Sequence, residues 1–136
     1  QVSGESIIEK NQVEIKEIFE QENIEEILNK TYSLSKNGSE FSKNIEHELK
    51  GKSPTSLKIT FKQIHMATEM SLRDALIMEY RMVQRCQASG DFYEGVRAML
   101  VDKDRNPQWK PSNLDKVDEI WVNHFFEPLH EKDLKI

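Results

Sequence analysis

Apolar residues recur along this chain at intervals of three and four, and the polar positions between them carry the start and stop signals of helices. Ile15, Ile18 and Phe19 give one helix across Asn11 to Glu20; Asn23, with Glu26 three residues on, restarts another that carries Ile24, Ile27 and Leu28. Asn37-Gly38 is a turn, after which Phe41, Ile45 and Leu49 run at helical spacing to Gly51, a candidate helix terminator. Ser53-Pro54 places an N-cap before a proline at the first helical position, and Leu57, Phe61, Ile64, His65 and Thr68 line one face of the helix it opens. Ser71 and Asp74 read as a capping box for a helix bearing Leu72, Leu76, Tyr80 and Val83. Asp91 and Glu94 read as another, opening a helix whose face holds Phe92, Val96, Met99, Leu100 and, at its C-terminal edge, Lys103. Ser112 with Asp115 predicts a last helix with Leu114, Val117, Trp121 and Phe125, ended by Pro128. Alternation of period two is missing, and Ile59, a β-branched hint, lies inside a helical window. The fold class expected is all-α, with six to seven helices in a domain over 10–136 behind a frayed, disordered lead-in over 1–9.

Two local features stand out. Gly95 lies in the second turn of the Asp91 helix, where glycine costs about 1 kcal/mol relative to alanine unless it lets another backbone approach, so Glu94-Gly95 marks a tight packing point. Beyond Asp104, RNPQWKP sets two prolines around Trp109, which ends the helix and lays an extended strap anchored by an aromatic ring.

The 136 residues are 37% hydrophobic and 32% charged, enough for a modest core. All of the net charge of −5 falls in residues 1–50, with 6 Lys/Arg against 11 Asp/Glu, while the rest balances at 13 against 13. An acidic first third argues against a nucleic-acid partner, whose phosphates it would repel. No apolar run approaches the roughly 20 residues of a membrane-spanning helix, so no membrane partner is expected. A lone cysteine, Cys86, leaves no internal disulfide and fits a reducing compartment. The first residue is Gln1 rather than Met, which reads as a piece of a longer protein or a processed chain.

Few residues offer chemistry. His65 and Glu79 are flanked by apolar neighbours and would suit half-buried acid–base groups, against the plainer reading of satisfied or rim-exposed side chains. His47, His65, His124 and His130 lack ligand spacing, so no metal site is expected. Cys86 has no histidine nearby in sequence and reads as a buried thiol, and the isolated glycines form no phosphate loop. Lys103, beside the strap, can reach a phosphate of a bound nucleotide, or can simply complement the C-terminus of its helix.

The stretch DFYEGVRAMLVDKDRNPQWKP from Asp91 to Pro111, with SPTSLKIT (Ser53 to Thr60) and LIMEYRMVQRC (Leu76 to Cys86), resembles the C-terminal part of the 3-hydroxyisobutyryl-CoA hydrolases. These are crotonase-superfamily thioesterases of valine degradation. The resemblance is clearest from about Asn23 to Ile136. It implies the helical part of an acyl-CoA thioester hydrolase, mitochondrial if eukaryotic, whose catalytic carboxylates and oxyanion donors belong to an N-terminal α/β core outside these residues. No cofactor is implied, since coenzyme A is part of the substrate. The implied partners are the acyl-CoA, the protein's own N-terminal core and further copies of the chain in a homo-oligomer. Superfamily members place a coenzyme A-contacting lysine near Lys103, with a one-residue gap before it, and Val83 stands where some hydratases have a contacting Phe. No catalytic residue is expected in the segment. Two alternatives stay open on sequence alone: a non-catalytic relative serving as a structural subunit, for example in the mitochondrial ribosome, and an independent helical interaction module.

Overall fold

The computed structural model describes residues 6–136, and among them every regular element is helical. The all-α expectation holds, with eight α-helices among these residues rather than six or seven. The chain divides into two compact units, Gln1–Gly51 and Lys52–Ile136.

In the first unit, α1 (Ile7–Lys10), α2 (Gln12–Phe19), α3 (Ile24–Lys36) and α4 (Glu40–Lys50) follow one another closely. Of the lead-in expected over 1–9, residues 1–5 lie outside the described residues. The remainder is helical, because Ser6 and Glu9 form a reciprocal capping box over α1. Asn23 caps α3 by accepting from the Glu26 N–H at 2.9 Å, and Gly38, at φ +100°, makes the turn into α4. Ile18, Ile24 and Ile27 are buried, and so are three small polar residues, Thr31, Ser35 and Ser42. Thr31 donates back to the Ile27 carbonyl at 2.6 Å, while Ser42, with the α4 cap Ser39, donates to the Glu14 carboxylate. Small hydroxyl side chains let helices approach closely, and here their donors are satisfied.

The second unit is built on α5 (Pro54–Ala67), α6 (Leu72–Ala88), α7 (Gly90–Val96) and α8 (Glu119–His124). Ser53 and Ser71 cap α5 and α6 as the sequence predicts, each accepting from the backbone three residues on at 3.1 Å. Val117 and Phe125 turn inward as predicted, whereas the inward faces of α5 and α6 differ from those predicted. Ile59, Met78, Met82, Val117, Val122 and Phe125 form the core, with Met66, Met70 and Cys86 packed at its edge. The expected stripes are largely outside: Ile64 is 59% and Leu72 is 78% exposed. Both helices carry apolar residues on two faces, so period alone could not choose between them. The single helix predicted from Ser112 is divided into a 3-10 turn, Leu114–Lys116, and the short α8, because Asp118 supplies a new cap by accepting from the Ile120 N–H at 2.7 Å. Arg81 holds the C-terminal tail through a two-pronged pair with Asp133, Nε to Oδ1 at 2.8 Å and Nη2 to Oδ2 at 2.5 Å, which lowers the Asp133 carboxyl below its usual range.

Candidate functional site

Asp91 and Glu94 do not form the capping box their spacing suggests. The N-cap of α7 is Ser89, which makes no side-chain cap bond. Both carboxylates reach instead to residues far along the chain. Asp91 accepts from the Ser53 hydroxyl at 2.5 Å and from the Lys110 N–H at 2.9 Å, while Glu94 accepts from the Gln108 N–H at 2.6 Å. They are the points at which the strap is tied back along α7.

The helix also changes character sooner than the apolar pattern implies. From Arg97 to Val101 it widens into a π turn, closed by the Asp102 N–H on the Arg97 carbonyl at 2.8 Å. Such turns accommodate one residue more than an α turn. The chain then leaves the helix at Lys103 and Arg105, both left-handed at φ 57° and 54°, and the Arg105 N–H closes on the Ala98 carbonyl at 3.0 Å. A left-handed residue with a Cβ costs roughly 1–2 kcal/mol, so something must hold this geometry. Lys103 therefore does not extend the Phe92–Val96–Met99 face as predicted. It is exposed, and its ammonium makes no hydrogen bond or ion pair with the described residues.

The restraint comes from Arg97. Its guanidinium donates to both Glu94 oxygens at 2.7 and 2.9 Å, to Asp102 at 2.6 Å, to Asp104 at 2.7 Å and to the Asn106 carbonyl at 3.3 Å. Arg97 is the main cause, and the Gln108 N–H the next, of a Glu94 carboxyl lowered to about 2. The same guanidinium lowers Asp104, and its own pKa is raised further by Glu94 first and then by the two aspartates. Sequence reasoning passed over Arg97. The available signals were its i, i+3 spacing from Glu94 and the alternating acids of Asp102-Lys103-Asp104.

Gly95 is the packing point expected of it, with an aromatic ring rather than a second helix as its partner. A Cβ at Gly95 would stand 3.4 Å from Cη2 and 3.7 Å from Cζ3 of Trp109. The strap thus lies on α7 through its indole and is pinned on either side by Glu94 and Asp91.

The other candidates disperse. His65 is exposed, its Nδ1 2.9 Å from the Phe61 carbonyl and its ring against Phe61, and exposed Glu79 accepts from the Gln63 amide at 3.2 Å. Neither is the half-buried acid or base imagined for it. Cys86 faces an open groove of about 420 Å³ between α5 and α6, also lined by Ile59, Met82, Val83 and Phe92, and burial raises its thiol pKa. Among the described residues no cluster of three or more His, Cys, Asp or Glu could hold a metal, and no helix is long and apolar enough to cross a membrane.

The described residues thus combine a helix, α7, with a strap tied back along it and an exposed lysine at the bend between them. The chain belongs to the enoyl-CoA hydratase/isomerase family, whose model matches residues 1–126. Among curated relatives, the mitochondrial 3-hydroxyisobutyryl-CoA hydrolase of Danio rerio is 47% identical over 122 residues, 90% of this chain and 31% of the relative. That of Gallus gallus is 42% identical over 132 residues (97% and 34%), and that of Homo sapiens 40% over 129 (95% and 33%). The chain thus spans about a third of the length of these relatives. Two crystal structures share its fold at a TM-score of 0.88: a carnitinyl-CoA dehydratase from Mycobacterium thermoresistibile, 26% identical and covering 99% of this chain and 38% of that one, and an enoyl-CoA hydratase from Rhodobacter sphaeroides 2.4.1, 27% identical and covering 100% and 40%.

Proposed function

We propose that this chain is the C-terminal helical part of a mitochondrial 3-hydroxyisobutyryl-CoA hydrolase, which splits its thioester into the free hydroxy acid and coenzyme A in valine degradation. The observation that carries the reading is identity of 40–47% to hydrolases of that name, sustained over 90–97% of the chain. In this reading the segment covers the catalytic core, shapes the acyl-CoA site and takes part in subunit contacts of a homo-oligomer, but performs no chemistry itself. Thioester hydrolysis needs a positioned carboxylate and preorganised donors for the oxyanion. Residues 6–136 bring no such set together: Asp91 and Glu94 are bound to backbone N–H groups of the strap, and His65 and Glu79 lie apart on the surface. No separate cofactor is required, since the coenzyme is a product of the reaction.

Lys103 is the residue proposed to touch the coenzyme. Its ammonium is exposed, pairs with none of the described residues and stands at a bend held by Arg97, and a point charge on such a stem suits a phosphate. Release of free thiol from 3-hydroxyisobutyryl-CoA tests the proposal. The full-length protein is expected to turn over and residues 1–136 alone to stay at the level of an inactive control. Turnover by the isolated segment, abolished by a point change within it, would overturn the division of labour, and a full-length protein inactive on this thioester would overturn the assignment.

A further inference from the structure

The strap is held at every second residue. Asp102 and Asp104 are bound through their carboxylates and Asn106 through its carbonyl, all by Arg97; the Gln108 and Lys110 N–H groups are bound by Glu94 and Asp91. The Asn106 N–H also closes on Asp104 at 2.8 Å. Between the first of these pins lie Lys103 and Arg105, both left-handed and both exposed, with side chains that bond to none of the described residues. Two cations flanked by two aspartates would ordinarily be neutralised by them. Here both aspartates are engaged by Arg97, and neither the Lys103 ammonium nor the Arg105 guanidinium forms an ion pair with any described residue.

We infer that Arg97 is a positioning residue for coenzyme A binding: by sequestering Asp102 and Asp104 and fixing the bend, it presents Arg105 together with Lys103 to the phosphate groups of the thioester. This rests on the reading of Lys103 above and adds Arg105 as a second phosphate contact. Loss of the Arg97 guanidinium acts twice, freeing the bend and releasing two carboxylates to pair with the cations the phosphates need. A guanidinium, with its planar fork of donors, serves at both positions better than an ammonium.

The test compares variants of the full-length protein on the coenzyme A thioester and on the pantetheine thioester of the same acyl group, which lacks the phosphates. Arg97→Gln and Arg105→Ala are each expected to raise KM for the coenzyme A thioester about tenfold, the scale of one charge-assisted contact, with kcat changed less than twofold. A KM effect at constant kcat is the mark of binding lost equally from ground and transition states. The pantetheine thioester should show no matching rise. Calorimetric titration with coenzyme A itself gives the same comparison without turnover. Should Arg97→Gln not fold, Arg97→Lys, which keeps the charge but lacks the planar fork that holds Asp102, Asp104 and the Asn106 carbonyl together, is measured in its place and should move KM in the same direction. Equal losses on both thioesters, or an unchanged KM in Arg105→Ala, would overturn the inference. Lys103→Ala separates the two levels: if it raises KM while the Arg97 and Arg105 variants do not, the inference alone fails, and if it too has no effect, the assignment of Lys103 fails with it.

Discussion

Gly95 offers a direct measurement of how the strap is seated. Its missing Cβ would lie 3.4 Å from the near edge of the Trp109 ring, a distance of ordinary contact, so alanine fits with little movement. Alanine also gains the roughly 0.8–1.0 kcal/mol that separates it from glycine inside a helix. Gly95→Ala should therefore leave stability unchanged or raise it by up to about 1 kcal/mol. Leucine adds three further carbons along a line already closed by the indole, and overpacking of that kind costs about 1–3 kcal/mol. Because leucine's helix propensity nearly matches alanine's, the gap between the two variants, about 1–3 kcal/mol in favour of alanine, isolates the clash. Urea melts followed by circular dichroism and indole fluorescence give it, and a cycle with Trp109→Ala assigns it, since the penalty should fall away once the ring is gone. A leucine variant as stable as the alanine one, or a penalty undiminished without Trp109, would refute the seating of the ring on Gly95.

Three other outcomes are expected from the same packing. Ser53→Ala should cost about 1–2 kcal/mol in a urea melt, because Ser53 both caps α5 and donates to Asp91, and a loss below about 0.5 would show that the two roles are replaced by water. The Glu94 carboxyl, lowered to about 2, lies below the roughly 4.3 of an unfolded chain. Its contribution is therefore complete above about pH 4.3 and is lost as the pH falls toward 2. The stability gap between the wild type and Glu94→Gln should be constant above pH 5 and close in that acid window; a gap that closes instead between pH 5 and 7 would contradict the Arg97 contact. Ile59→Ala should cost about 2–5 kcal/mol and Ile64→Ala, on the outer face of α5, less than about 0.5, and the reverse order would mean that the helix is turned the other way.

The parts of this fold that were legible in the sequence are those fixed by neighbours a few residues away. Asn23, Ser53 and Ser71 cap the helices they precede, Asn37-Gly38 turns, and the resemblance carried by Asp91–Pro111 agrees with the family matched. The rest depends on distant partners. The D-x-x-E spacing at Asp91 and Glu94 is common to a capping box and to two carboxylates awaiting other donors. Only the return of Gln108 and Lys110, 14 and 19 residues on, decides between them. The face of α6 could not be chosen because Leu72, Leu76 and Val83 on one side are as apolar as Met78 and Met82 on the other. The Lys103 register failed because a π turn shifts the phase of everything after it, and no residue type announces such a turn. His65 and Glu79 were judged from their sequence neighbours, whereas burial is set by whichever helix lies opposite.

The core of the second unit has a chemical consequence of its own. Four of the chain's five methionines and its one cysteine meet there: Met78 and Met82 fully inside, Met66, Met70 and Cys86 at the rim. Thioethers are flexible and polarizable and fill the irregular spaces that short helices leave. They are also the side chains that a peroxide converts to polar sulfoxides. Met66 and Met70, being accessible, meet the oxidant first and act as sacrificial groups, whereas oxygen on Met78 or Met82 would put a strong dipole among apolar side chains. The resistance of this unit to peroxide therefore depends on how slowly its two inner sulfur atoms are reached.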